Sequence, residues 1–140
     1  MTPPPTPWVV DHIGIAVTDI DAAIALYAST AGTSVTHREK LIDRGVELAF
    51  LNTGGTRLEL LMPLRDDTPI GRFLTSHGPG IHHICYKVDN IRGEMSRLAS
   101  LGAELIDTTP RPGATGTIIA FIKPASFSGV LTELCEYTNS

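Results

Sequence analysis

Apolar and polar positions along this chain follow two rhythms, one of period two and one near 3.6, and their succession is written twice. A β-branched run over residues 9–17 leads to Asp19, after which Ile20, Ala23, Ile24 and Tyr27 recur at helical spacing as far as Gly32. Later, the run over 81–88 leads to Asn90, and Ile91, Met95, Leu98 and Leu101 recur in the same way before Gly102. Asp and Asn suit helix starts because their side-chain oxygens accept an exposed backbone N–H, and glycine suits helix ends because it tolerates the left-handed turn. Each half therefore predicts a strand and then a helix. Three shorter extended pieces follow in each half, punctuated by Gly45 and residues 52–55 in the first and by residues 110–116 and 124–129 in the second. The pattern predicts βαβββ twice, an α+β fold in which two modules share a sheet-lined cavity. Module one runs over 9–64, a linker with a short apolar segment at 70–74 covers 65–80, and module two runs over 81–137, all within a single domain at 9–140.

The two halves also match residue by residue. Asp11-His12-Ile13-Gly14-Ile15-Ala16-Val17 lies over His82-His83-Ile84-Cys85-Tyr86-Lys87-Val88 at an offset of 71, and Ala49-Phe50-Leu51 lies over Ala120-Phe121-Ile122 at the same offset. Leu58-Glu59-Leu60 meets Thr132-Glu133-Leu134 at an offset of 74. A single histidine on an apolar strand is ordinarily a hydrogen-bonded core residue. Here His12 and His83 occupy equivalent places on the first strand of each module, and Glu59 and Glu133 occupy equivalent places on the last. A carboxylate flanked by leucines is costly to bury without a cation or a donor. If the modules are related by a pseudo-twofold axis, these four side chains converge on one divalent ion. Imidazole and carboxylate suit Co²⁺, Mn²⁺, Zn²⁺, Ni²⁺ or Fe²⁺, and four protein ligands leave two octahedral positions for substrate oxygens. Strand alternation sends His82 to the face opposite His83.

Composition narrows the partners. Net charge is −4 with scattered basic residues and only 6% aromatics, so neither the basic stripe nor the stacking surface of a nucleic-acid binder is present. No apolar run approaches a membrane span of ~20 residues. Residues 1–8 carry prolines in place of a basic and then apolar leader, which predicts a disordered lead-in and, by default, a cytoplasmic location. Cys85 and Cys135 are far apart in apolar stretches, which predicts buried free thiols on the pocket wall and no disulfide framework or thiolate zinc site. His37 and His77 sit in polar contexts where exposure is expected, and the glycine-rich loop at 111–116 lacks a phosphate-loop lysine.

Asp11-His12-Ile13-Gly14-Ile15-Ala16-Val17, Gly80-Ile81-His82-His83-Ile84-Cys85 and Gly129-Val130-Leu131-Thr132-Glu133-Leu134-Cys135-Glu136 resemble the methylmalonyl-CoA epimerase family of the vicinal oxygen chelate, or glyoxalase-like, superfamily. Thr36-His37-Arg38-Glu39, Leu58-Glu59-Leu60-Leu61-Met62-Pro63-Leu64 and Pro110-Arg111 extend the likeness, which covers residues 10–136. The resemblance implies a metal-centred cup with His12, Glu59, His83 and Glu133 as ligands. It implies one divalent ion, Co²⁺ favoured with Mn²⁺, Zn²⁺, Ni²⁺ or Mg²⁺ as alternatives, an acyl-CoA substrate, and a homodimer. The implied reaction interconverts (2R)- and (2S)-methylmalonyl-CoA by proton removal and return through an enolate, with Glu133 as both ligand and base. The second base departs from the pattern. Several members carry a glutamate on the third strand with glutamine at the Glu59 position, whereas Leu48 stands in that place here. Either Glu59 has taken over the proton transfer or Glu47 reaches in through a strand irregularity, and Glu59 is preferred. Lys123 and Ala125 also depart, which bears on acyl-CoA recognition. A glyoxalase-like isomerase or lyase, or a non-catalytic small-molecule-binding protein, are the alternative readings of the same cup.

Overall fold

The computed structural model describes residues 6–114 and 116–138. Residues 1–5 of the expected lead-in, and Thr115 of the glycine-rich loop, lie outside the described residues. The chain forms two compact units, one of His12–His83 and one of the described parts of Met1–Asp11 and Ile84–Ser140. Strands β1 (Val9–Ala16) and β5 (Gly80–Lys87) each run through a unit boundary.

In the unit of His12–His83, β1 is followed by α1 (Ile20–Ala31), β2 (Ser34–Leu41), β3 (Val46–Asn52), β4 (Arg57–Pro63) and α2 (Pro69–His77). The strands lie in the order β2-β3-β4-β1, with β1 parallel to β4 and the other pairs antiparallel. Helix α1 starts where the sequence predicts: the Asp19 carboxylate accepts the Ala22 N–H at 3.0 Å. It stops at Gly32, whose φ of 70° lets its N–H turn back to the Tyr27 carbonyl. The apolar stripe Ile20, Ala23, Ile24 and Tyr27 packs on Val17, Ala49, Leu51 and Leu60, the last two fully buried. The helix thereby covers the face of β3 that carries residues 47, 49 and 51, leaving 46, 48 and 50 for the opposite face. The expected linker contains α2, longer than the 70–74 segment because Thr68 Oγ1 accepts the Gly71 N–H at 3.0 Å and Pro69 suits the first helical turn.

In the other unit, β5 is followed by α3 (Ile91–Ser100), β6 (Arg111–Pro112), β7 (Thr117–Ile122) and β8 (Thr132–Tyr137), in the order β5-β8-β7-β6 with β5 parallel to β8. Asn90 caps α3 by accepting the Gly93 N–H at 3.1 Å, and Ile91, Met95 and Leu98 pack on Val88, Ala120, Ile122 and Leu134. Leu101, expected on the same stripe, is exposed, because the helix ends at Ser100 and Leu101 is already its cap. The extended piece expected before residue 110 forms only a bridge of Leu105 with Ile122, and the edge strand is the two-residue β6 inside the segment expected as a turn. Pro110 and Pro112 lack the N–H a ladder needs, and the Asp107 side chain takes over, accepting the Phe121 N–H at 2.8 Å while bonding Arg111 Nε at 2.8 Å. At the start of this unit, Trp8 donates to Glu94 at 2.7 Å and lies 5.2 Å from the Tyr86 ring.

The pairing registers repeat as the sequence offsets do. Gly14 faces Glu59 across β1 and β4, and Cys85 faces Glu133 across β5 and β8. Phe50 faces Glu59 across β3 and β4, and Phe121 faces Glu133 across β7 and β8.

Candidate metal centre

His12 on β1, Glu59 on β4 and His83 on β5 meet inside the unit of His12–His83. His12 Nε2 lies 3.3 Å and His83 Nε2 3.4 Å from the same oxygen, Glu59 Oε1. The two imidazole rings stand nearly perpendicular, 5.5 Å apart, and all three residues are buried. The Phe50 and His12 rings meet edge to face at 5.1 Å, and the Arg57 guanidinium lies 4.2 Å from the centre of the Phe50 ring. This places Phe50, and with it Leu48, on the histidine side of β3. Burial alone pushes the Glu59 carboxyl up, but the two imidazoles facing it outweigh burial and hold it below the usual carboxylate range. Glu59 therefore remains an anion beside two imidazoles.

The donor chemistry fits a divalent first-row ion. Neighbouring donors at right angles on bonds of about 2.1 Å are about 3.0 Å apart, close to the spacings of 3.3 and 3.4 Å seen here. Glu133 belongs to the other unit, where it is buried on β8 at the position matching Glu59.

Two further residues, His82 and Gly14, surround the His83 ring. His82 and His83 bring their Nδ1 atoms to 2.9 Å. The alternation of burial holds, with His83 buried and His82 half-buried, but Nδ1 sits next to the ring's attachment point, so both rings can turn along the strand and meet. The face of His82 is closed by Phe73 of α2, 5.0 Å away and edge-on, which in turn stacks on His77 at 4.7 Å. The second neighbour is Gly14, whose missing side chain leaves the space that the His83 ring fills. Its signal was present as the lone glycine of the β-branched run opposite Glu59.

Glu47 is placed on the α1 side of β3. Its carboxylate accepts Arg38 Nε at 2.8 Å, and Arg38 Nη1 bonds Asp21 of α1 at 2.8 Å. Those two acids raise the Arg38 guanidinium further above its usual value. Glu47→Gln is expected to lower the thermal midpoint by a few degrees while leaving turnover unchanged, as measured by a melting curve beside an activity assay. A large drop in turnover at unchanged stability would instead give Glu47 the role of base. His37 is half-buried, bonded to Glu39 at 3.0 Å, and Lys123 pairs with Glu104 at 3.0 Å on the surface.

The cysteines, distant in sequence, are spatial neighbours. Cys85 and Cys135 are free thiols whose sulfurs, with an Asp11 carboxylate oxygen, lie within 4.8 Å of one another. Both are buried against Ile119 and Phe121. Burial, the Cys135 thiol and the nearby Glu133 and Asp11 charges push the Cys85 thiol far up, keeping it protonated. Folded protein is expected to leave both thiols untouched by dithionitrobenzoate, and denaturant to release both; rapid modification of native protein would contradict this burial.

The chain matches the glyoxalase/bleomycin resistance protein/dioxygenase superfamily over residues 11–121. It is 40% identical over 126 residues to an ethylmalonyl-CoA/methylmalonyl-CoA epimerase of Cereibacter sphaeroides, covering 89% of this chain and 94% of that protein. The methylmalonyl-CoA epimerase of Mycobacterium tuberculosis superposes with a TM-score of 0.89 at 36% identity, over 94% of this chain and 89% of that one. That of Streptomyces coelicolor, in complex with 2-nitronate-propionyl-CoA, does so with a TM-score of 0.88 at 34% identity, over 94% and 98% of the two chains. The fold is thus the expected α+β vicinal oxygen chelate fold, and none of the described helices is long and apolar enough to cross a membrane. With likeness of this extent, the chain is an epimerase-class enzyme and belongs to the methylmalonyl-CoA epimerase family within that superfamily.

Proposed function

We propose that this chain interconverts the (2R) and (2S) epimers of methylmalonyl-CoA, using one divalent ion held by His12, Glu59, His83 and Glu133. The observation that carries the reading is the convergence of two buried imidazole nitrogens on one buried carboxylate oxygen. Support for Glu133 as the fourth ligand comes from the repeated register, which gives it the place in its unit that Glu59 holds in the other. A divalent ion bound there supplies Lewis-acid stabilisation of the negative charge that builds on the thioester oxygen as the α proton leaves. Among the residues, inversion needs a proton removed from one face of the planar carbon and returned to the other, hence two carboxylates in hydrogen-bond reach of it. Glu133 takes one face and Glu59 the other. Both are buried, which excludes water that would compete for the proton. The His12 and His83 rings fix the position of Glu59, and the Phe50 ring meets that of His12 edge to face. Leu48, on the Phe50 side of β3, supplies an apolar wall in place of a carboxylate.

Co²⁺ is the favoured ion, with Mn²⁺, Zn²⁺, Ni²⁺ or Mg²⁺ as alternatives, and a homodimer is the assembly the family resemblance implies. The Cereibacter relative is named for ethylmalonyl-CoA as well as methylmalonyl-CoA. One extra methylene in an apolar pocket changes discrimination by only about 1–3 kcal/mol, so slower turnover of ethylmalonyl-CoA is part of the same reading.

The test follows α-proton exchange in D₂O on either epimer of methylmalonyl-CoA, with Co²⁺-loaded protein, chelator-treated protein and Glu133→Gln compared. Rapid deuterium incorporation with loss of stereochemistry in the Co²⁺-loaded protein, no incorporation after chelation, and no inversion in Glu133→Gln are the expected results. No exchange with any divalent ion would overturn the reading.

A further inference from the structure

We infer that His82 is a positioning residue, whose ring holds His83 in the tautomer that presents a lone pair at Nε2. The inference rests on the proposed role of His83 as a metal ligand. A contact of 2.9 Å between His82 Nδ1 and His83 Nδ1 joins two like atoms, so one nitrogen must carry the proton and the other must accept it. His83 Nε2 is the atom directed at Glu59 Oε1, and the His83 ring stands beside that of His12. For that nitrogen to offer a lone pair to a cation, the single proton of the neutral ring must sit on Nδ1. His83 Nδ1–H then donates to His82 Nδ1, and His82 carries its own proton on Nε2. The reverse arrangement puts a proton on His83 Nε2, where it is donated to Glu59 Oε1 while no cation is bound and has to move before one can bind.

The ring of His82 is itself held in place. Phe73 packs against it edge-on at 5.0 Å, and Phe73 is supported by His77 stacked at 4.7 Å along the same helix. Helix α2, which the sequence pattern marked only as a linker segment, thereby steadies the acceptor that orients a ligand. Outer partners of this kind typically change metal affinity about 10- to 100-fold when removed.

The test uses Zn²⁺ and Co²⁺ on the whole chain, with His82→Phe and His82→Asn beside the unsubstituted protein. His82→Phe keeps a ring for Phe73 but no nitrogen, whereas Asn keeps an acceptor near the Nδ1 position. Long-range proton–nitrogen NMR of the Zn²⁺-loaded, unsubstituted protein is expected to show the proton of His83 on Nδ1 and that of His82 on Nε2. Competition titration is expected to show Co²⁺ affinity about 10- to 100-fold lower in His82→Phe, largely recovered in His82→Asn. Unchanged affinity in His82→Phe, or a His82 ring protonated on Nδ1 and donating to His83, overturns the inference and leaves the metal reading intact. Failure of the unsubstituted protein to bind either ion overturns the metal reading and this inference with it. The NMR measurement needs no variant, so a poorly folded His82→Phe does not remove the test.

Discussion

Glu59→Gln is expected to lower epimerisation by about 10²- to 10⁴-fold, the range typical of a lost general acid–base group, while leaving a side-chain oxygen beside His12 and His83. The two duties proposed for Glu59 separate in this variant. An amide oxygen still reaches a cation, but an amide does not accept the substrate proton. With Glu133 as the one remaining proton carrier, deuterium should still enter the substrate from D₂O on one face, and the product should keep the configuration of its parent. Exchange without inversion is the signature. Adding Leu48→Glu to this variant should recover most of the lost inversion, because Leu48 lies on the strand face of Phe50, whose ring rests on His12. The double variant also restores the glutamate and glutamine arrangement that the sequence resemblance associates with other members. A new carboxylate at the 2% exposed Leu48 site costs stability unless it is partnered, so a melting curve belongs with the assay. Full epimerisation by Glu59→Gln alone would remove Glu59 from proton transfer.

The choice between Glu59 and Glu47 shows where reading a sequence stops. The duplicated order of strands, the capped helices and the paired positions of His12 with His83 and Glu59 with Glu133 were legible, because each is a matter of period and offset. The registers of Gly14 with Glu59 and of Cys85 with Glu133 follow the same offsets. What was not legible depends on where side chains turn after leaving the backbone. Period two places Glu47 on the face away from Leu48, but it does not reveal that Arg38 reaches across from β2 to hold it. Nor does it reveal that two adjacent histidines join at their Nδ1 atoms, or that two cysteines fifty positions apart lie side by side. The short β6 had a readable cause in Pro110 and Pro112, whereas its replacement by the Asp107 side chain had none.

Gly14→Ala should cost the site more than any change of similar size elsewhere on β1. A methyl group there would come within 2.8 Å of His83 Nε2 and closer still to its Cε1 and Nδ1. An imidazole at an exposed end of a side chain would swing away at little cost. His83 has no such freedom: it is 3% exposed, its Nδ1 is engaged by His82, and its Nε2 faces Glu59. Overpacking of this kind typically costs about 1–3 kcal/mol, and here relief requires that the ring leave the position in which it meets the carboxylate. The expected outcome is a lower thermal midpoint together with a loss of Co²⁺ affinity of at least about tenfold, comparable to losing an orienting partner. Ile13→Val, one residue earlier and on the opposite face of the strand, should lower stability by about 0.5–1.5 kcal/mol and leave metal binding unchanged. The contrast between the two variants separates general destabilisation from displacement of His83. If Gly14→Ala bound Co²⁺ as tightly as the unsubstituted protein, the His83 ring would have to be mobile enough to yield, and the rigid placement on which the site depends would be wrong.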